Sequence, residues 1–82
     1  IGEDVPDLMK KDLDLEIDAV ERLNRLITLF RNEEDNGSAE LLGRILADEE
    51  AHIDWLENQL ALIVSIGLEN YLARHFSPGE AE

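Results

Sequence analysis

The 82 residues carry seven basic and twenty acidic side chains, for a net charge of −13, and 44% of them are apolar. A chain of this size holds one small domain with a marginal core of its own. The acidic balance argues against nucleic acid and anionic membrane surfaces as partners, since both need basic patches. With no cysteine, these residues can form no disulfide, zinc–thiolate site or iron–sulfur cluster, which suits a cytoplasmic location.

Ile1 to Asp7 reads as a lead-in that becomes a helix. Asp4 is placed to cap it, Pro6 suits a first turn that does not need its N–H, and Glu3, Asp4 and Asp7 complement the positive helix end. The apolar period predicts a first helix over about 5–33. On a wheel stepping about 100° per residue, Leu8, Leu26, Ala19, Phe30, Leu23, Met9, Ile27 and Val20 share one arc. Glu16 lands in the middle of that arc, whereas Asp14, Asp18, Glu21, Arg22 and Arg25 fall largely outside it. Asn32 to Ser38 is the one internal break. Asn36-Gly37 is its turn signal, with Asp35, Asn36 or Ser38 available to cap the next helix.

The second helix is expected over about 36–66, its apolar period carried from Ala39 onward. Gly67 suits a left-handed residue just past its end. Leu68 to His75 forms a short third helix at an angle to the second, and 77–82 reads as a frayed tail. The longest apolar stretch, Leu60 to Ile66, is far shorter than the roughly 18 residues of a membrane span. A short break between two long amphipathic helices implies an antiparallel hairpin. The expected fold is therefore all-α: a long-helix hairpin over 1–76, half of a four-helix bundle, plus the short C-terminal helix. A second helix pair is needed to bury both apolar stripes.

The second helix holds Glu49 and His52 three positions apart, on one side of the helix. Its apolar arc is formed by Leu41, Ile45, Leu56, Leu42, Leu60 and Ile53, and both polar residues lie inside it. Burying an ionised carboxylate costs roughly several kcal/mol unless it is paired or bound to metal. Glu16, Glu49 and His52 together match half of a carboxylate-bridged di-metal site, in which two helices each give a Glu and the other two each give Glu-x-x-His. Carboxylate and imidazole suit a divalent iron or manganese ion.

A Glu-x-x-His pair alone is usually a surface contact worth about 0.2–0.5 kcal/mol. The arc position and the matching Glu16 set this pair apart. Asp12 and Gln59 also brush the arcs, but Asp12 is near a helix start and Gln59 near an arc edge, so the plain structural reading is preferred for both. Trp55 reads as packing, Met9 as core or interface filler and His75 as a polar residue near the chain end. Asp14, Asp18, Glu33, Glu34, Asp35, Asp48 and Glu57 read as a solvated face.

Asp48-Glu49-Glu50-Ala51-His52-Ile53-Asp54-Trp55-Leu56-Glu57, followed by Gln59-Leu60, resembles the fourth-helix signature of bacterioferritins, members of the ferritin-like superfamily. Ile66-Gly67-Leu68-Glu69-Asn70-Tyr71-Leu72 resembles the turn into their short fifth helix. Ile1 to Pro6 and Asp12-Leu13-Asp14-Leu15-Glu16 resemble the entry to and first half of their third. The match covers nearly the whole chain and corresponds to the C-terminal half of such a subunit.

The resemblance implies a twenty-four-subunit shell that stores iron as a ferric mineral, after a di-iron ferroxidase centre has oxidised Fe(II) with oxygen or peroxide. It makes Glu16 and Glu49 the bridging and terminal carboxylate ligands, in either order, and His52 the imidazole ligand. It sets Asn70 near a fourfold channel and Asp54 near a pore. It implies haem b in the full assembly, but the haem-binding Met belongs to the other half, and Met9 does not match it. The first two helices, with one Glu and one Glu-x-x-His, must come from a separate piece or from a second copy of this chain. The start at Ile1 rather than Met favours the separate piece. The alternatives are a non-catalytic helical interaction module, in which the polar triad fixes register, and another di-metal carboxylate oxidoreductase.

Overall fold

The computed structural model describes residues 4–75. The tail expected at 77–82 and the motif residues Ile1, Gly2 and Glu3 lie outside them. Three helices follow in order: α1 (Val5–Asn32), α2 (Asn36–Ile66) and α3 (Leu68–His75). α1 and α2 pack along each other as an antiparallel hairpin, which brings residue 12 opposite residue 52, and α3 folds back on the end of α2. The expected all-α hairpin with a short third helix is thus the architecture observed.

The start of α1 differs from the expectation. Pro6 sits in its first turn, but Asp4, at the cap position, has helix-like angles (φ −83°, ψ −11°), and its side chain makes no capping hydrogen bond. A capping side chain reaches the free N–H groups from an extended backbone, a geometry that Asp4 does not adopt.

The turn between the long helices also lies elsewhere than Asn36-Gly37, which are the first residues of α2. Glu34 takes the positive φ, +60°. Its N–H bonds the Arg31 carbonyl at 3.0 Å, and the Asp35 N–H bonds the Phe30 carbonyl at 2.8 Å. This pair closes a helix end by the Schellman arrangement, which needs one left-handed residue. Asp35 then opens α2. Its carboxylate accepts from the Ser38 N–H at 3.2 Å and from the Ser38 hydroxyl at 2.7 Å. The two hydrogen bonds that Ser38 gives the Asp35 carboxylate cap α2 at Asp35, ahead of the Asn-Gly pair.

These two hydrogen bonds, the hydroxyl's first and the backbone's second, hold the Asp35 carboxyl below its ordinary value. A carboxyl depressed in the folded state stabilises the fold above its unfolded pKa, and that contribution is lost as pH falls through the folded value. The first turn of α2 is therefore expected to fray at acid pH. An NMR titration of Asp35 should show a midpoint below that of an unfolded Asp, and Ser38→Ala should bring it back up.

Gly67 closes α2 with φ +86° and ψ +150°. This is not the left-handed helical region expected there but the extended positive-φ region that essentially only glycine enters. Its N–H bonds the Ile63 carbonyl at 2.8 Å, its carbonyl accepts from Tyr71 N–H at 3.0 Å, and the Asn70 amide donates to the Ile66 carbonyl at 2.7 Å. A Cβ at Gly67 would meet no atom within 4 Å, so an added methyl costs only backbone strain. Gly67→Ala is expected to destabilise the fold by about 1–3 kcal/mol, read as a lowered denaturation midpoint, with increased amide exchange in α3.

Tyr71 pins α3 down. It is buried, its hydroxyl donates to Gln59 Oε1 at 2.6 Å, and its ring lies 4.4 Å from that of His75. Gln59 therefore serves the docking of α3, and His75 packs on Tyr71 within α3 itself. The buried apolar residues among those described are Ala39, Leu56, Ile63 and Tyr71, and no charged or polar residue is buried. Each apolar stripe is wider than the hairpin contact. Leu8, Leu26, Leu41 and Ile45 stay more than a third exposed on its open side. Among the described residues no helix is long and apolar enough to cross a membrane.

Candidate metal centre

α1 is continuous through residues 12 and 16, and α2 through 49 and 52. Asp12 and Glu16, one turn apart, therefore project from the same side of α1. Glu49 and His52 do the same on α2, and the antiparallel register faces the two pairs. Ligand atoms of Asp12, Glu16 and His52 all lie within 4.8 Å of one another. His52 Nε2 stands 3.1 Å from Asp12 Oδ2, with the His52 side chain 43% exposed and Asp12 46%. The Trp55 ring, itself half-exposed, lies nearly parallel to the His52 ring, with an interplanar angle of 8° and centroids 6.0 Å apart.

Glu49 stands beside this cluster rather than in it. It lines, with Glu16, a groove of about 380 Å³ on the open side of the hairpin, whose other walls are Ala19, Arg22, Leu23, Leu26 and Ile45. The expected residues therefore meet in two overlapping sets: Glu16 with His52, and Glu16 with Glu49. Glu16 belongs to both. None of the three is fully buried, because the two-helix contact covers only one side of each stripe.

Asp12 is the residue that the sequence reading set aside. Its nearness to the helix start suggested an ordinary first-turn acid. In the structure it is the direct partner of His52, and the available signal was its place four residues before Glu16, on the same face. Arg22, expected mainly outside the arc, lines the groove beside the two glutamates. Asn70 is occupied with the end of α2, and Asp54 is exposed.

Three carboxylates and one imidazole gather on partly exposed surface, and Arg22 lines the groove beside Glu16 and Glu49. Among the described residues the one hydrogen bond within the set joins Asp12 and His52. No cation among the described residues pairs with Glu16 or Glu49, and carboxylate with imidazole is a donor set that suits a hard or borderline divalent cation such as Fe(II) or Mn(II).

A family model described as a ferritin-like domain matches residues 1–66. Among curated proteins, the chain is 44% identical over 78 residues to a "Bacterial ferritin" of Synechocystis, covering 94% of this chain and 50% of that protein. It is 42% identical over 73 residues to the "Bacterioferritin" of Streptomyces coelicolor, covering 89% and 44%. To the "Bacterioferritin" of Mycobacterium avium it is 40% identical over 74 residues, covering 90% and 46%. The chain thus spans about half the length of the curated relatives it matches.

Proposed function

From the premise that this chain belongs to the ferritin-like domain family, we propose that it supplies half of a ferroxidase site in an iron-storing assembly like that of the bacterioferritins it resembles. The observation that carries this reading is the convergence of Glu16 with His52 on one side and with Glu49 on the other. Fe(II) is the substrate. Glu16 and Glu49 would hold it through carboxylate oxygens and His52 through an imidazole nitrogen. Oxygen or peroxide would take up the electrons given by two Fe(II) ions, and the Fe(III) formed would pass to a mineral inside a twenty-four-subunit shell.

The chain's residues contribute to this in three ways. The carboxylates offset the charge of the ions and favour the more highly charged oxidised product. Holding the donors on two long helices fixes their spacing, because each helix is hydrogen-bonded through the site. Leu26 and Ile45, which flank Glu16 and Glu49 in the groove, would exclude water once a second helix pair closes over them. That pair would bring the remaining Glu and Glu-x-x-His. It would come from another chain segment or a second copy, and any haem would belong with it.

The test is Fe(II)-dependent oxygen or peroxide consumption by the complete assembly. Consumption with Fe(III) accumulating in the particle is expected. No bound metal, and no gain in stability on adding Fe(II) or Mn(II), would favour a non-catalytic helical module instead. Oxygen or peroxide turnover without retained iron would favour another di-metal oxidoreductase.

A further inference from the structure

The contact between Asp12 and His52 crosses from one long helix to the other, and it occupies one particular nitrogen of the ring: Nε2, at 3.1 Å from Asp12 Oδ2. An ionised carboxylate has no hydrogen to give and only accepts. The hydrogen of this bond must therefore sit on Nε2. A neutral imidazole carries a single N–H, so its lone pair is then on Nδ1. A metal can bind only through that lone pair.

We infer that Asp12 is a positioning residue: by accepting from Nε2 it fixes the tautomer and the ring plane of His52, leaving Nδ1 as the iron-binding atom. This inference rests on the reading of His52 as an iron ligand. Histidine ligands commonly donate their second N–H to a carboxylate, which sets the ring and raises its basicity. Asp12 is well placed for this, one helical turn from Glu16 and on the same face, so a single stretch of α1 presents one carboxylate to the metal and another to the metal's ligand. The Trp55 ring lies nearly parallel to that of His52, with centroids 6.0 Å apart. Without Asp12, the ring would distribute between two tautomers, one of which has its hydrogen on the ligating nitrogen.

The test uses the complete assembly, freed of metal and labelled with ¹⁵N-histidine. The His52 signals are assigned by their disappearance in His52→Gln, and nitrogen NMR near neutral pH then reports which nitrogen carries the hydrogen. The expected result is hydrogen on Nε2 in the parent protein and a mixture of tautomers in Asp12→Ala. Asp12→Asn, whose amide oxygen can still accept from Nε2, should recover part of the preference. Binding of Co(II), a redox-quiet probe under anaerobic conditions, should weaken about 10–100-fold in Asp12→Ala and less in Asp12→Asn. Hydrogen on Nδ1 in the parent protein, or an unchanged tautomer in Asp12→Ala, would overturn the inference. So would weakened Co(II) binding with the tautomer preserved, because Asp12 would then be a ligand itself. The tautomer is read without iron, so a parent protein that fails to oxidise Fe(II) would count against the proposed function and leave this measurement standing.

Discussion

Replacing His52 or Glu49 by Ala is expected to lower the rate of Fe(II) oxidation by the complete assembly more than about 100-fold, since loss of a supporting residue alone commonly costs 10–100-fold. The loss should come without collapse of the fold. Both residues are only partly buried, and neither fills the core formed by Ala39, Leu56, Ile63 and Tyr71. In the metal-free protein Glu49→Ala removes one of the two negative charges that line the groove, and like charges repel. Its thermal stability without metal should therefore equal or exceed that of the parent. In the presence of Fe(II) or Mn(II) the order should reverse, because a cation that binds only the folded state stabilises it by mass action. A residue serving structure alone would lower stability in both conditions. Normal iron turnover in both variants would remove the case for the site.

The hairpin was legible because the helical period runs through both long segments, and the single break between them is too short for anything but an antiparallel return. Glu16, Glu49 and His52 were legible because each interrupts an apolar arc. What the wheel does not contain is register. It says that Glu49 and His52 face inward, but not which residue of α1 each one meets. Asp12 became visible only when the hairpin slid residue 12 opposite residue 52.

The errors at the helix ends share a different cause. Asn36-Gly37 is a strong turn signal by composition, yet the two hydrogen bonds that Ser38 gives the Asp35 carboxylate cap α2 at Asp35 and leave Asn36 and Gly37 inside its first turn. That moves the left-handed position back onto Glu34, a residue with no local preference for it. Gly67 was identified as a residue needing positive φ. Its ψ of +150° follows from the placing of α3, where Tyr71 must reach Gln59. A local motif cannot report the direction in which the next element has to leave.

Leu26→Lys combined with Ile45→Lys is expected to block assembly while leaving the hairpin helical. Both side chains line the groove with Glu16 and Glu49 and are 42% and 41% exposed in the hairpin. On the proposed reading they are covered when a second helix pair closes the bundle. Burying each leucine or isoleucine contributes about 1.5–3 kcal/mol, and burying a lysine charge in its place costs several kcal/mol, roughly, unless it finds a partner. Two such changes are comparable with the whole stability margin of a small domain, about 5–15 kcal/mol, and they fall on the closing of the bundle, not on the hairpin contact. Sedimentation should show loss of the large particle, with helical circular dichroism reduced but not abolished. Leu56→Ala provides the contrast. Leu56 is 2% exposed within the hairpin itself, so its truncation should cost about 2–5 kcal/mol by loosening α1 from α2. If the double lysine variant still assembles, the open stripe is not the closing face. Glu16 and Glu49 would then remain at a water-filled groove, where their charges are screened and a metal has little reason to stay.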